Sequence, residues 1–409
     1  MNVSTPRGSD AGLSSLRLLQ GGRELFPAMV EAIDEARHSV WLETYIFDFN
    51  GQVVDVAHAL ARAAQRGLEV RVVVDGVGTP SIPAEWRARW QEAGVQLEVF
   101  SPLGRMGLLL PSRWRRLHRK LCVVDRSWTF CGGINCLDDW REQDGQRLES
   151  PRLDYAVQIR GGLTRTVALT MVRLWTRVLV TERARQADLY AAWAAFRENT
   201  ASLSQVPELL LPHAATWDGV QASFVERDNV SHRAKIERAY LRALGQAKHS
   251  VLMAHAYFVP GRRLRHALQL AVARGVRVQV LVQGRFENFM QFHAARPVHH
   301  GLLRAGVQLY EYTASSVHAK VAVVDGEWVT VGSSNLDPLS LLLAREANVV
   351  VHDKRVAKAL AEQLDSAITS QSRRMDASQL AQRSWRERWL DWAAFALMRA
   401  ALFVAGKRY

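Results

Sequence analysis

The chain is poor in cysteine, with three in 409 residues: Cys122, Cys131 and Cys136. An odd count at those spacings fits neither a disulfide scaffold nor a zinc site, so they read as small core residues in a reducing compartment. The opening stretch MNVSTPRGSDAGLSSL lacks an apolar run of the length that a secretion signal needs. No low-complexity segment stands out. His255, His293, His299 and His300 match no metal-ligand spacing and are expected on helical surfaces or in supporting positions. Acidic residues are in deficit, 40 Asp and Glu against 53 Lys and Arg, giving a formal net charge of +13. That excess calls for an anionic partner, a nucleic acid or an acidic membrane surface. The remaining composition, 48% hydrophobic and 23% charged, is ordinary for a large buried core.

What the chain does have is repetition. LHRKLCVVDRSWTFCGGINCLDD carries His118, Lys120, Asp125, Gly133 and Asn135, and VHAKVAVVDGEWVTVGSSNLDP carries His318, Lys320, Asp325, Ser334 and Asn335. The His, Lys and Asp recur 200 positions on, as do Trp128 and Trp328. A second similarity runs upstream: EARHSVWLETYIF parallels GQAKHSVLMAHAYF, and AHALARAAQRGLEVRVVVDG parallels RHALQLAVARGVRVQVLVQG. Each copy reads helix, strand, helix, glycine stop, strand, with Gly67 and Gly275 where a helix C-terminal glycine belongs. Alternating helices and strands argue for an α/β sandwich in each half. The Ser-, Thr- and Pro-rich stretch between Arg197 and Gly219 reads as the boundary. The expected division is a first domain over 1–210, a second over 211–370 and a tail over 371–409.

The motif spacing has a physical reading. LHRKLCVVD and VHAKVAVVD are apolar and β-branched, as in buried strands, and residues two apart on a strand share a face. His118 and Lys120 therefore project together, as do His318 and Lys320. Asp125 and Asp325 fall at a turn, for which Asp325-Gly326 is a hairpin signal, leading into a second strand. That strand ends in Gly132-Gly133-Ile134-Asn135 or Gly332-Ser333-Ser334-Asn335. Small residues there let backbone approach an anion, and Ser and Asn side chains offer donors. Two facing halves bring two imidazoles and two ammonium groups around one site, a set suited to a phosphoryl centre. Buried lysines are costly unless paired, so two on apolar strands call for a function.

These paired motifs resemble those of the phospholipase D superfamily. The flanking text is similar to bacterial cardiolipin synthases of the B type, in FPAMVEAIDEARHSVWLETYIFDFNG, RGLEVRVVVDGVGT, HAYFVPGRRLRHAL and VGSSNLDPLSLLLAREANVVV, from about Leu16 to about Leu364. Arg126 departs from the glycine that commonly follows the first motif aspartate, and Gly-Gly-Ile-Asn differs from Gly-Ser-Ser-Asn in its donors. The resemblance implies two tandem phospholipase D-like α/β domains with pseudo-two-fold symmetry and an active site at their interface. It implies His118 as nucleophile and His318 as general acid/base, an order the residues alone do not give. His118, Lys120, Asp125, His318, Lys320 and Asp325 form the expected catalytic set. Asn135, Asn335, Gly133 and Ser334 are expected to hold substrate, the asparagines acting with the lysines on the phosphoryl oxygens. The resemblance also implies that Asp154 and Glu346 each orient the histidine of their own half, as in a triad. No metal or other cofactor is expected, because the lysines supply positive charge.

The expected reaction moves a phosphatidyl group from one phosphatidylglycerol to another through a phosphohistidine, releasing glycerol. The expected partner is an anionic phospholipid membrane, met peripherally on the cytoplasmic side, with no nucleic acid expected. The tail SWRERWLDWAAFALMRAALFVAGKRY, with Trp385, Trp389, Trp392, Phe395 and Phe403, is broken by Asp391 and Arg399. It suits a helix lying in the membrane interface better than one crossing it, and packing on the protein's own surface is the other reading. The Leu108-Leu109-Leu110 run beside Arg113, Arg115 and Arg116 suits a loop against anionic lipid, a loop over nucleic acid, or core. Tyr45 and Tyr257 hold parallel positions, with core packing as their ordinary role and substrate contact as the other. The same two-histidine chemistry also serves a phospholipase D-type hydrolase or a nucleic-acid phosphodiesterase. The oligomeric state is left open.

Overall fold

The computed structural model describes residues 13–102, 107, 114–142, 145–185, 217–228, 233–285, 289–337, 344–378 and 384–404. The Leu108–Leu110 run, Arg113 and most of the expected domain boundary lie outside the described residues.

Each half contains a set of three parallel strands. In the first, β2 (Ser39–Thr44), β3 (Glu69–Asp75) and β4 (Gln96–Phe100) run parallel, joined by helices α2 (Val53–Gln65) and α3 (Ala84–Ala93). The second repeats this with β10 (Ser250–His255), β11 (Arg277–Gln283) and β12 (Gln308–Tyr312), joined by α6 (Arg262–Ala273) and α7 (Phe289–Arg304). Their crossover helices bury one apolar stripe each, as the three-and-four spacing anticipates. Gly67 and Gly275 take φ of +84° and +88° just past α2 and α6, the left-handed region where a glycine costs least.

The motif strands follow as antiparallel hairpins. β6 (Lys120–Val124) and β7 (Trp128–Gly132) form one, and β13 (Lys320–Val324) and β14 (Trp328–Gly332) the other. β6 pairs with β2 and β13 with β10, so each motif strand begins at the C-terminal ends of the parallel strands. In an α/β sheet that edge is where ligands bind.

Four long strands fuse the halves. β8 (Tyr155–Gly161) pairs β7 and β1 (Leu13–Gln20), while β15 (Ala344–His352) pairs β14 and β9 (Trp217–Arg227). β1 pairs β9, closing one continuous sheet across the pseudo-two-fold axis. α1 (Gly21–Asp34), α2 and α3 cover one face of the first half around Leu42, Val72 and Trp90. α5 (Lys235–Gln246), α6 and α7 do the same in the second around Tyr240, Val280 and Leu302. α4 (Leu163–Arg185) and α8 (Lys354–Gln371) cover the opposite face, where one core spans both halves from Leu121 and Met171 to Val323 and Leu364. Cys122, Cys131 and Cys136 are buried free thiols.

The tail begins as part of the second half: β16 (Ser372–Arg374) adds an edge strand to β12. Beyond it, α9 (Trp385–Val404) lies on α7. Buried Asp391 meets His293 Nδ1 at 2.6 Å, and Ala394 and Phe395 join the second-half core. Trp385, Trp389, Trp392 and Leu397 face outward, exposed. One side of the helix therefore packs on the protein, as one reading of the tail expects, and the other stays apolar and uncovered among the described residues. No described helix is long and apolar enough to cross a membrane.

Candidate active site

The two histidines meet at the seam. Each precedes its motif strand and is held by the other half's backbone: His118 N donates to Arg345 O at 3.0 Å, and His318 N to Leu153 O at 2.9 Å. The short strand β5 (Arg116–Leu117) pairs in parallel with β15, and Leu153 bridges Val317 in the mirrored place. The imidazole centroids lie 6.5 Å apart, which leaves room for one phosphoryl centre between them. Side-chain exposures of 16% and 23% for His118 and His318 keep both rings reachable from solvent.

The supporting carboxylates cross over. Glu346, on β15 of the second half, lies 3.0 and 3.2 Å from Nδ1 of His118. Asp154, just before β8 of the first half, lies 2.6 Å from Nδ1 of His318. This corrects the expectation that each acid serves its own half. The physical reason is the seam: β8 and β15 start beside the opposite motif strand, so their first side chains reach across it. With Nδ1 engaged, Nε2 is the nitrogen left for chemistry on each ring.

Burial, reinforced by the neighbouring lysines, lowers the affinity of both imidazoles for protons, His318 most strongly; Glu346 opposes the shift at His118. Burial raises the Asp154 carboxyl, with Lys320 and the Tyr155 N–H acting against it. At Glu346 burial also pushes upward, but His118, Lys120 and the Ser333 hydroxyl outweigh it and hold the carboxyl low. The two acid–imidazole pairs are thus unequal, Glu346 being the more firmly ionised. Because the nucleophile His118 must be neutral to attack and its affinity for protons is lowered, the acid limb of the kcat/KM profile is expected below pH 6.5, with activity lost as pH falls through that lowered value. A limb at or above that pH, measured on anionic vesicles, contradicts this reading.

Lys120 and Lys320 sit on the same face as their histidines and donate to the His118 and His318 carbonyls, the first at 2.6 Å. Burial pushes Lys120 down to about 7, with Glu346 and Asp154 acting against it.

The remaining expectations divide. Asn135 Oδ1 accepts from Ile46 N at 3.3 Å, whereas buried Asn335 Oδ1 has no hydrogen-bond partner among the described residues. Gly133 does not open space for an anion: a Cβ there would overlap the Asp154 carboxylate, so the glycine makes room for the acid that holds His318. Ser334 is fully buried and its hydroxyl turns to Asn335 O at 3.4 Å. Its neighbour Ser333 is the one that touches the site, donating to Glu346 Oε2 at 2.5 Å. The repeat carries the signal for this, since the offset of 200 sets Ser333 opposite Gly133, the residue beside Asp154.

Asp125 and Asp325 do not reach the site. They follow β6 and β13, seven residues on from the histidines, roughly 23 Å away at about 3.3 Å per residue. Asp125 accepts backbone N–H bonds from Arg37, His38 and Ser39 at 2.7, 2.8 and 2.9 Å. Asp325 does the same with Lys248, His249 and Ser250 at 2.8, 2.8 and 2.9 Å. Both have φ near +50°, which Asp and Asn tolerate better than other side chains. They pin the hairpin to the start of β2 or β10. The Asp325 carboxyl is lowered because those three donors outweigh burial, so its contribution to stability is in place above the ordinary carboxylate pKa and is lost as pH falls through the lowered value. Asp325→Asn is expected to cost about 1–2 kcal/mol in denaturant unfolding while leaving kcat of the folded protein unchanged. A selective loss of kcat would return Asp325 to the chemistry.

Tyr45 has a place at the site. Its ring lies 5.0 Å from that of His118, and Lys120 Nζ stands 5.5 Å over it. Its counterpart Tyr257 lines a cleft on the His318 side. Among the other histidines, His255 and His299 are buried and His293 pairs with Asp391. Among the described residues no cluster of three or more His, Cys, Asp or Glu is arranged to hold a metal ion.

Comparison with known proteins gives the geometry a family. A family model described as "Cardiolipin synthase, PLD-like domain" matches residues 29–142 and again 240–368, one match on each repeat. Cardiolipin synthase B of Salmonella typhi is 36% identical over 373 residues, covering 91% of this chain and 84% of its relative. Cardiolipin synthase B of Escherichia coli (strain K12) is 34% identical over 382 residues with the same coverage. Among solved structures, phosphatidylserine synthase of Haemophilus influenzae Rd KW20 shares the fold, with a TM-score of 0.65 at 17% identity over 97% of each chain. With both repeats matched and nearly the whole length shared, the chain belongs to the phospholipase D-like cardiolipin synthase family and is a phosphatidyltransferase.

Proposed function

We propose that this chain makes cardiolipin by moving a phosphatidyl group from one phosphatidylglycerol to another. The observation that carries the proposal is the pair of crossed acid–imidazole contacts, whose rings face each other at 6.5 Å. His118 Nε2 attacks phosphorus, the P–O bond to glycerol breaks, and the departing oxygen takes a proton from His318 Nε2. In the return step the second phosphatidylglycerol gives its hydroxyl proton to His318. Its oxygen attacks phosphorus, and the N–P bond to His118 breaks. The more firmly ionised Glu346 behind His118 suits the ring that must carry positive charge as it forms the N–P bond. Lys120, Lys320, Asn135 and Asn335 would hold the non-bridging oxygens. One primary alcohol replaces another, so the direction of reaction follows the supply of acceptor.

Product analysis by mass spectrometry, with purified protein and phosphatidylglycerol vesicles, tests this. Cardiolipin with free glycerol is the expected result. Phosphatidic acid alone would make the protein a hydrolase, and turnover of a nucleic acid without lipid turnover would favour a phosphodiesterase.

The membrane is met peripherally, from the cytoplasmic side, through α9. Trp385, Trp389 and Trp392 recur on one face while Asp391 and Phe395 anchor the other, and the net charge of +13 favours an anionic bilayer. Replacing all three tryptophans with serine is expected to weaken co-sedimentation with phosphatidylglycerol vesicles at least 10-fold without changing the unfolding midpoint. Unchanged co-sedimentation would place lipid contact elsewhere.

A further inference from the structure

The backbone that enters each catalytic histidine is tied twice. The histidine itself bonds to the opposite half, through His118 N to Arg345 O and His318 N to Leu153 O. The residue just before it bonds to its own half. Leu117 N donates to Asp75 Oδ2 at 2.7 Å, and Val317 N donates to Gln283 Oε1 at 3.1 Å. Asp75 ends β3 and Gln283 ends β11, the middle strands of the two parallel sets. The repeat sets the two opposite each other, in Val-Val-Val-Asp-Gly and Val-Leu-Val-Gln-Gly.

These acceptors answer a physical need. Leu117 and Val317 are 0% and 1% exposed, so neither N–H can turn to water, and a buried N–H without a partner is costly. Two adjacent N–H groups bonded to different halves leave the histidine backbone little freedom to slide along the seam.

The two holds are chemically unequal. The buried Asp75 carboxylate also accepts from Val77 N at 2.8 Å, Gly78 N at 3.3 Å and Arg116 Nη1 at 3.1 Å. All four partners donate, which suits the ionised acid. Burial raises this carboxyl, while Arg116 and the three N–H groups act against the rise. Its charge is felt at the site as well: burial lowers Lys120, and Asp75 joins Glu346 and Asp154 in opposing that. In the second half the same place holds the neutral amide of Gln283.

We propose that Asp75 and Gln283 are the positioning residues of the two catalytic histidines, each holding its ring at the seam through the peptide N–H that precedes it. The proposal rests on the two-histidine reading above and deepens it. The opposite half supplies the carboxylate and one backbone bond, and the histidine's own half supplies the second hold. Hydrogen bonds to an ionised acceptor are the stronger, so the first half, whose ring forms the covalent bond, is the more firmly held.

The test assays full-length Asp75→Ala, Asp75→Asn and Gln283→Met on phosphatidylglycerol vesicles beside the wild type. Rates are referred to the folded fraction, so a loss of stability alone leaves kcat unchanged. Gln283→Met, which keeps the length but offers no oxygen, is expected to lower kcat about 10-fold with KM little changed, the usual worth of one hydrogen bond. Asp75→Ala is expected to lower kcat on the order of 100-fold, since bonds to a charged group are worth more. Asp75→Asn keeps an oxygen for Leu117 N, is expected to fall between Asp75→Ala and the wild type, and serves if the alanine variant folds poorly. Imidazole ¹⁵N NMR of histidine-labelled protein gives a readout without turnover, with His118→Ala and His318→Ala assigning the two rings. The Asp75 variants are expected to shift the His118 signals and spare those of His318, and Gln283→Met the reverse. Unchanged kcat in both halves' variants, or both rings disturbed alike by either, overturns the positioning. Absence of cardiolipin from the wild type overturns the transferase reading, while the imidazole spectra still decide the positioning.

Discussion

Alanine in place of His118 or of His318 is expected to lower phosphatidyl transfer by on the order of 10⁴-fold or more, with the unfolding midpoint little changed. Without His118 there is no atom to hold the phosphatidyl group between its two alcohols. Without His318 the departing glycerol oxygen must leave as an alkoxide, which at neutral pH is a very poor leaving group. Because both steps pass through one assembly, the double variant is expected to be no slower than the worse single one. Initial rates of cardiolipin formation check this. Multiplying effects in the double variant would mean that the two rings act on separate events.

The second large effect concerns the crossed acids. Glu346→Gln and Asp154→Asn are each expected to reduce kcat by about 10²- to 10⁴-fold, because an amide no longer stabilises the imidazolium and permits the wrong tautomer. Partnership across the seam makes the prediction specific. Glu346→Gln should have little further effect once His118 is gone, and Asp154→Asn little once His318 is gone. Gly133→Ala should imitate Asp154→Asn by pressing on the same carboxylate, while leaving the His118–Glu346 contact intact. If instead Glu346 proved coupled to His318, each acid would serve its own half, as the sequence alone suggests.

Much of the site was legible because its order is local. His and Lys two apart on an apolar strand, Asp-Gly at the following turn, and a small-residue corner before Asn are spacings that backbone geometry interprets directly. The repeats carried the fold for the same reason, since each encodes strand, helix and glycine stop within a few tens of residues. What was not legible depends on contacts between distant strands. The meeting of β1 with β9 decides which acid faces which histidine, and nothing near Asp154 or Glu346 in the chain encodes that pairing. Asp125 and Asp325 misled because invariable spacing within a repeat marks structure as readily as chemistry: both carboxylates are spent on three backbone N–H groups. Ser334 was chosen where the repeat offset of 200 points to Ser333, opposite Gly133.

The division of labour between the two rings is tested most directly by trapping the intermediate. Wild-type protein is mixed with ³²P-labelled phosphatidylglycerol vesicles, quenched into alkali, where phosphohistidine survives, and digested for peptide analysis. Label on the peptide that contains His118, and none on the peptide that contains His318, is the predicted result. Label on His318, or on neither histidine while cardiolipin is being formed, would contradict the account.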